Sequence, residues 1–233
     1  MKIFSYHLAQ VSPAFTLRSF FAPPSVKQVS GLCHMECMAP MMLGAPIVSP
    51  ERLQLRKLAV FAAWEDESAL DQFLGQEKLG KALSAGWHLR LSLIRRWGSF
   101  PEFDDFPENE SAQDSASPVV AVTIARLKLP EVFRFIRWGR PVEELVRDHP
   151  GTTLALASMR MPRTFSTFTV WRSEKEMTNM VHGHSTVSGG ERHAAAMAER
   201  NRKDFHHYFT TLRFHALSEH GEWDGRRHIV PES

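Results

Sequence analysis

The chain repeats itself, and that constrains its fold more than any single motif. On either side of an acidic stretch rich in Pro and Ser, Phe100 to Pro118 (FPEFDDFPENESAQDSASP), the two halves can be laid over each other in the same order. Leu8-Ala9 with Pro13 parallels Ile124-Ala125 with Pro130, and Gly31 with the run to Met41 parallels Gly151 with the run to Met161. Val60 to Trp64 parallels Phe168 to Trp171, and Leu91 with Trp97 parallels Leu217 with Trp223. The division is therefore residues 1–99, a linker 100–118, a second half 119–225 and a tail 226–233.

Each half reads as strand, helix, strand, strand, helix, strand. In the second half Val119 to Ala125 is β-branched, Leu129 to Arg147 has an apolar helical face with Pro141 as a kink, and Thr152–Arg160 and Arg163–Trp171 alternate as a hairpin. Ser173 with Glu176 forms a capping box before Met177, Met180 and Val181; a final helix spans Glu191 to Tyr208, and a strand runs from Thr210 to Leu217. In the first half Asp66 caps a helix whose Leu70, Phe73 and Leu74 fall where those three apolar residues do. This order is the split βαβ of a ferredoxin-like unit. The expected fold is α+β: tandem ferredoxin-like repeats whose sheets pair into an eight-stranded barrel within one chain, which removes exposed strand edges.

Composition narrows the function classes. The 28 Lys and Arg nearly balance 26 Asp and Glu, with no basic block of the kind that tracks phosphates, so nucleic acid is not an expected partner. No apolar run reaches the roughly 18 residues of a transmembrane span. The N-terminus shows no long apolar h-region, making cytoplasm the default. Nucleophile elbow, Walker loop, Rossmann glycines, zinc-protease motif and CxxC pair are all missing. Cys33 and Cys37 read as reduced thiols on one face of a strand with Met35, while His34 and Glu36 point to the other face, so the five cannot grip one ion.

Twelve histidines remain to be explained, and they cluster late. His182 and His184 lie in a Gly- and Ser-rich loop, where a surface role competes with ligation. His193 sits near the start of a helix among Ala194, Ala195 and Ala196, with Met197, Arg200, Asp204 and His207 following on the same general face. A neutral imidazole projecting from a helix into an apolar cavity is what a five-coordinate haem iron requires. The spacing alone fits a plain surface or core histidine as well.

Within Val119 to Gly225, the segments Thr123-Ile-Ala-Arg-Leu, Arg134-Phe-Ile-Arg-Trp-Gly-Arg-Pro141, Phe168-Thr-Val-Trp-Arg-Ser-Glu, Arg192-His-Ala-Ala-Ala-Met-Ala-Glu-Arg200 and Phe209-Thr-Thr-Leu-Arg-Phe together resemble the spheroidene monooxygenase family of carotenoid biosynthesis. The first half shares only the element order. The resemblance implies a dimeric α/β-barrel fold and a haem-b-dependent monooxygenase, with one haem per chain, that oxidises a hydrophobic, polyene-like substrate with O2 and draws on an external electron donor. It places the proximal iron ligand on His193, with His182, His184 and His207 as alternatives. Met197 and Phe168 would border the haem, and Arg126 and Arg160 would pair with its propionates, a use that competes with ordinary salt bridges. Phe133, Trp138 and Phe165 are further candidates for the pocket wall. The chain departs from the family in its HGHSTVSGG segment (182–190) and in Asp204-Phe205-His206-His207. Two other readings stay open: a cofactor-free barrel oxygenase, and a non-catalytic haem or lipophile binder. A repeated chain can be a monomeric pseudo-dimer or a homodimer.

Overall fold

The structure, a computed structural model, describes residues 1–44, 52–109, 114–182 and 191–232, and for 191–194 the backbone only. The first half supplies β1 (Ile3–Gln10), α1 (Pro13–Phe21), β2 (Leu32–Met41), β3 (Lys57–Trp64), α2 (Glu67–Gln76), α3 (Lys78–Ser84) and β4 (Trp87–Ser99). The second supplies β5 (Val119–Leu127), a 3-10 turn (Leu129–Glu131), α4 (Val132–Asp148), β6 (Thr152–Arg160), β7 (Thr164–Trp171), α5 (Glu174–Val181), α6 (Glu191–Arg202) and β8 (His206–His220). The strands close into one antiparallel barrel in the order β1-β3-β2-β6-β7-β5-β8-β4, the ferredoxin-like order twice over. The expected fold is the one found.

Local chemistry explains the starts of the helices. Asp66 and Ser173 each accept the backbone N–H three residues on, from Ala69 and Glu176, and so cap α2 and α5 at matched places. Gly31 precedes β2 at φ +70, where a Cβ would come within 2.4 Å of the Ala69 methyl, so the strand can pass beneath the helix only without a side chain; Gly151 holds the matching place before β6, next to the Glu176 side chain.

The structure differs from the sequence expectation at several places. The last helix stops at Arg202 rather than Tyr208, because Asp204 Oδ1 accepts the N–H of His206 at 2.9 Å and Phe205 O accepts from Lys128, drawing the chain into the sheet. β8 continues to His220 because it pairs with β4 as far as His88. The match of Leu91 with Leu217 is also displaced: Leu91 faces Phe4 as Phe214 faces Val120, so Phe214 is the structural counterpart. A bulge between Leu32 and His34 breaks alternation in β2, leaving Cys33 against the barrel interior while Met35 and Cys37 pack outside it. Both cysteines are free, and burial pushes the Cys37 thiol up to about 12.

The barrel interior is filled. Phe4, Tyr6, Phe61, Leu91, Val122, Phe168, Leu212 and Phe214 converge there, with Phe168 stacked on Tyr6 at 3.8 Å between ring centroids. The beginning of the acidic segment joins them: Phe100, Phe103 and Phe106 are buried in the same cluster, and Arg96 Nη1 donates to Phe103 O at 2.7 Å. Beside these rings lies a charged knot on the inner face. Glu36, 0 % exposed, receives Arg160 Nη2 at 2.6 Å, Arg126 Nη2 at 3.2 Å and His34 Nε2 at 3.2 Å, while Arg126 also holds Glu102 at 2.6 Å. Burial pushes the Glu36 pKa up, but His34, Arg160 and Arg126 outweigh it and hold the carboxyl below its ordinary value.

Removing that carboxylate leaves the Arg160 guanidinium without its partner while Arg126 keeps Glu102, so Glu36→Gln is expected to cost about 3 kcal/mol in urea unfolding at pH 7. Because the folded-state value is lowered, the contribution is fully present above 4.5 and is lost as pH falls through the folded value. Wild type should therefore lose stability on acidification in a range where Glu36→Gln loses less; parallel pH dependences would contradict this role.

Candidate functional site

With the interior occupied, space for a ligand has to lie outside the barrel, between sheet and helices. The repeat allows the two outer layers to be compared position by position. Over the first half, Met35, Cys37, Ser5, His7, Val60 and Ala62 face outward and are all buried, sealed under Phe73, Leu74 and Leu83 of α2 and α3. Their counterparts, fixed by strand register, are Ala155, Ala157, Ala121, Thr123, Thr167 and Thr169. Met becomes Ala, Cys becomes Ala and His becomes Thr, against one gain from Ala62 to Thr169, so on balance the second floor loses side-chain volume. Thr167 is exposed in the middle of β7, a strand flanked by β5 and β6, whereas its counterpart Val60 is 0 % exposed.

The result is a groove with a floor of Ala and Thr. Across it run Ala157, Thr167, Thr123, Thr211 and Trp97 in register, with the Thr123 and Thr211 hydroxyls 3.1 Å apart. One end is closed by Phe165, Ala125 and Phe205 under α4, the other by Val119, Trp171, Met177 and Met180. Helix α6 packs against α4, where Arg134 holds Glu199, and it reaches β8 through Arg200, whose guanidinium stacks 3.8 Å from the Phe209 ring centroid; Ala196 is buried.

The residues picked out by sequence are not gathered in one place. His193 is in α6, but its side chain lies outside the described residues, as does all of His184. Met197 is half-buried on the same helix; His182 is exposed beyond α5, and His207 is exposed on β8. Arg126 and Arg160 do meet, but at Glu36 on the inner face of the barrel, opposite the helix layer. Phe168 is inside the barrel as well, and Phe165 is buried at one end of the groove. Phe133 is 74 % exposed and Trp138 is also exposed, so neither walls a pocket: the apolar face of α4 runs through Phe135, Ile136 and Leu145 instead.

Two groups in the second half were missed. Arg213, outward-facing on β8, pairs with Glu174 of α5 and lies over Trp97, 4.6 Å from its ring centroid. His206 is buried, its Nδ1 2.6 Å from Asp204 Oδ1, with Phe135, Phe205 and Phe209 around the ring and no partner for Nε2 among the described residues. Burial lowers its pKa and Asp204 offsets only part of that, favouring the neutral ring. Comparing side-chain size between paired repeat positions would have revealed the groove and Arg213; nothing in spacing marks His206. A separate hollow of about 390 Å3 opens near Pro40, Gln54, Leu156 and Trp223, where the charged pair Lys57 and Asp224 is bonded to itself at 3.1 Å.

No family model matches the sequence, and no curated protein does. Among solved structures, two of aldoxime dehydratase, one co-crystallised with butyraldoxime, align with a TM-score of 0.51 at 10% and 11% identity. They cover 93% and 92% of this chain and 80% and 81% of theirs. A ferredoxin-fold protein of Listeria monocytogenes related to antibiotic biosynthesis monooxygenases aligns over 94% of this chain and 96% of its own at 12% identity, with a TM-score of 0.33. At such identities the likeness to the two aldoxime dehydratase structures is one of fold alone.

The open floor should tolerate bulk that the sealed one cannot spare. Thr167→Leu is expected to change stability by no more than about 0.5 kcal/mol, whereas Phe73→Ala, beneath the first-half helices, should cost about 3–5 kcal/mol. Equal losses in thermal or urea unfolding would show that the second floor is packed.

Proposed function

We propose that this protein is a haem-dependent monooxygenase-like enzyme that oxidises a hydrophobic substrate in the groove between the second-half sheet and α6. The observation that carries the reading is the Ala and Thr floor, where Thr167 is exposed and Ala121, Thr123, Ala155 and Thr211 are partly so, although the matching first-half residues are all buried. A planar apolar group fits such a floor, and Trp97 and Phe165 offer it apolar borders. The resemblance of residues 119–225 to spheroidene monooxygenases supports the same assignment, with a polyene as the substrate class.

In this reading His193 holds the iron from α6, and Met197 borders the group from the same helix. Haem, when bound, supplies activation of O2 with electrons from an external donor. The chain supplies position and exclusion of water. The sheet prevents the substrate from entering the barrel, since Phe4, Phe61, Phe168 and Phe214 leave no room there. Thr123, Thr167 and Thr211 offer hydroxyls to orient a polar atom of the substrate. Arg126 and Arg160, spent on Glu36, leave the charge of the propionates to a residue of the outer face.

A cofactor-free oxygenase is the second reading, and His206 favours it. A neutral imidazole whose Nδ1 faces Asp204 has its Nε2 lone pair available to accept a proton from an electron-rich substrate, which could then react with O2 directly.

Titration of the purified protein with hemin separates the two. The haem reading expects a saturable one-to-one Soret band, lost or changed in spin state in His193→Ala and abolished by Thr167→Trp, which fills the groove. An unaltered spectrum in His193→Ala would move the ligand to His182, His184 or His207. Absence of any saturable band in wild type would overturn the haem reading and turn attention to oxygen uptake in wild type and His206→Ala.

A further inference from the structure

The repeat supplies an internal control for Arg213. Register makes Arg90 its first-half counterpart, since Arg90 faces Ser5 as Arg213 faces Ala121. Arg90 spends both terminal nitrogens: Nη1 donates to Glu67 at 3.2 Å and Nη2 to Asp71 at 2.5 Å, both from the first turns of α2. The second half keeps the first of these pairs and lacks the second. Glu174 stands in the place of Glu67 and binds Arg213 Nη1, but Thr178 stands in the place of Asp71. Nε is buried and without a partner in both arginines, so the difference lies at Nη2, which holds Asp71 in Arg90 and has no partner among the described residues in Arg213. Nη2 is therefore the donor that Arg213 keeps for a carboxylate other than Glu174, a charge-assisted bond of the kind Arg90 makes with Asp71.

The surroundings sharpen this shortage of negative charge. Only 13% of the Arg213 side chain is exposed. Arg95, directly across from it on β4, lies 5.1 Å from the centroid of the same Trp97 ring, so two cations meet at one indole. Burial pushes the pKa of Arg213 down, Glu174 opposes that shift, and Arg95 adds to it. All of this lies on the wall of the groove, next to Thr211 and Ala121.

We propose that Arg213, backed by Arg95 and Trp97, is an anchor for the carboxylate of the ligand that occupies the groove, making the bound molecule a flat apolar acid. The anchor rests on the groove being a ligand site; under the haem reading the acid is a propionate, and under a cofactor-free reading it is a carboxylate on the substrate itself. The duplication left the position open when Asp71 had no counterpart, and the incoming carboxylate takes the place that Asp71 fills in the first half.

The test compares hemin with its dimethyl ester, whose propionates carry no charge, by Soret titration and by quenching of tryptophan fluorescence. Wild type should bind the free acid at least about 10-fold more tightly than the ester, the scale of one charge-assisted hydrogen-bonded pair. Arg213→Met should bring the ratio close to one with little effect on the ester. So should Thr178→Asp, which restores the carboxylate of the first half and keeps the arginine, so that a merely structural role for Arg213 would leave the preference intact. A wild type that binds acid and ester equally, or a ratio unmoved in both variants, overturns the anchor and leaves haem binding standing. If neither hemin form binds, the haem reading fails, and anthracene-9-carboxylate against its amide becomes the probe: a preference for the acid that Arg213→Met removes upholds the anchor, and no preference overturns it.

Discussion

Closure of the barrel is the constraint on which the rest depends. In a ring of eight strands every residue faces in or out, and no edge is left to accommodate an exception. The inner face is committed to packing by Phe4, Phe61, Phe168 and Phe214, together with Phe100, Phe103 and Phe106 from the segment joining the halves. A chain of this kind can vary only its outer layer without losing the core. Ligand chemistry is thereby confined to the two spaces under the helices, and among the described residues the second is the less densely packed.

The inner face also carries a cluster of charge, and position explains it. Glu36, Arg126 and Arg160 come from β2, β5 and β6, strands that share one end of the barrel, and Glu102 and Phe100 descend on them from the connecting segment. A carboxylate with no exposure is tolerable because two guanidinium groups and an imidazole replace its water. The acidic segment is thus not simply a tether. Its phenylalanines fill the barrel while Asp104 accepts from Ser99 and from the N–H of Phe100, fixing the turn that sends the chain inward.

The fold was legible in the sequence because periodicity and repetition report on backbone geometry. The matched Pro13 and Pro130, Gly31 and Gly151, and Trp64 and Trp171 occupy equivalent places, and Asp66 and Ser173 cap where expected. What alternation could not give was sidedness within a closed barrel. Arg126 and Arg160 read as a matched pair of cations, and they do converge, but the parity of their strands points them at Glu36 rather than at the helices. Aromatic residues misled in the same way: Phe133 lies on a helical face that solvent reaches, whereas Phe106, in a segment without periodicity, is buried.

The repeat carried more information than the motifs did, because two copies under one geometry turn each difference into a question about selection for volume or charge. Val60 against Thr167 and Met35 against Ala155 are losses of volume on a single face, and together they make a groove. Asp71 against Thr178 is a loss of charge beside an arginine that has been kept. An arginine retained only to brace strand against helix would gain nothing by giving up one of its two carboxylates. Removal of that carboxylate next to the newly opened floor, with a second cation stacked on the same tryptophan, is what a site needs if its ligand brings the missing negative charge with it.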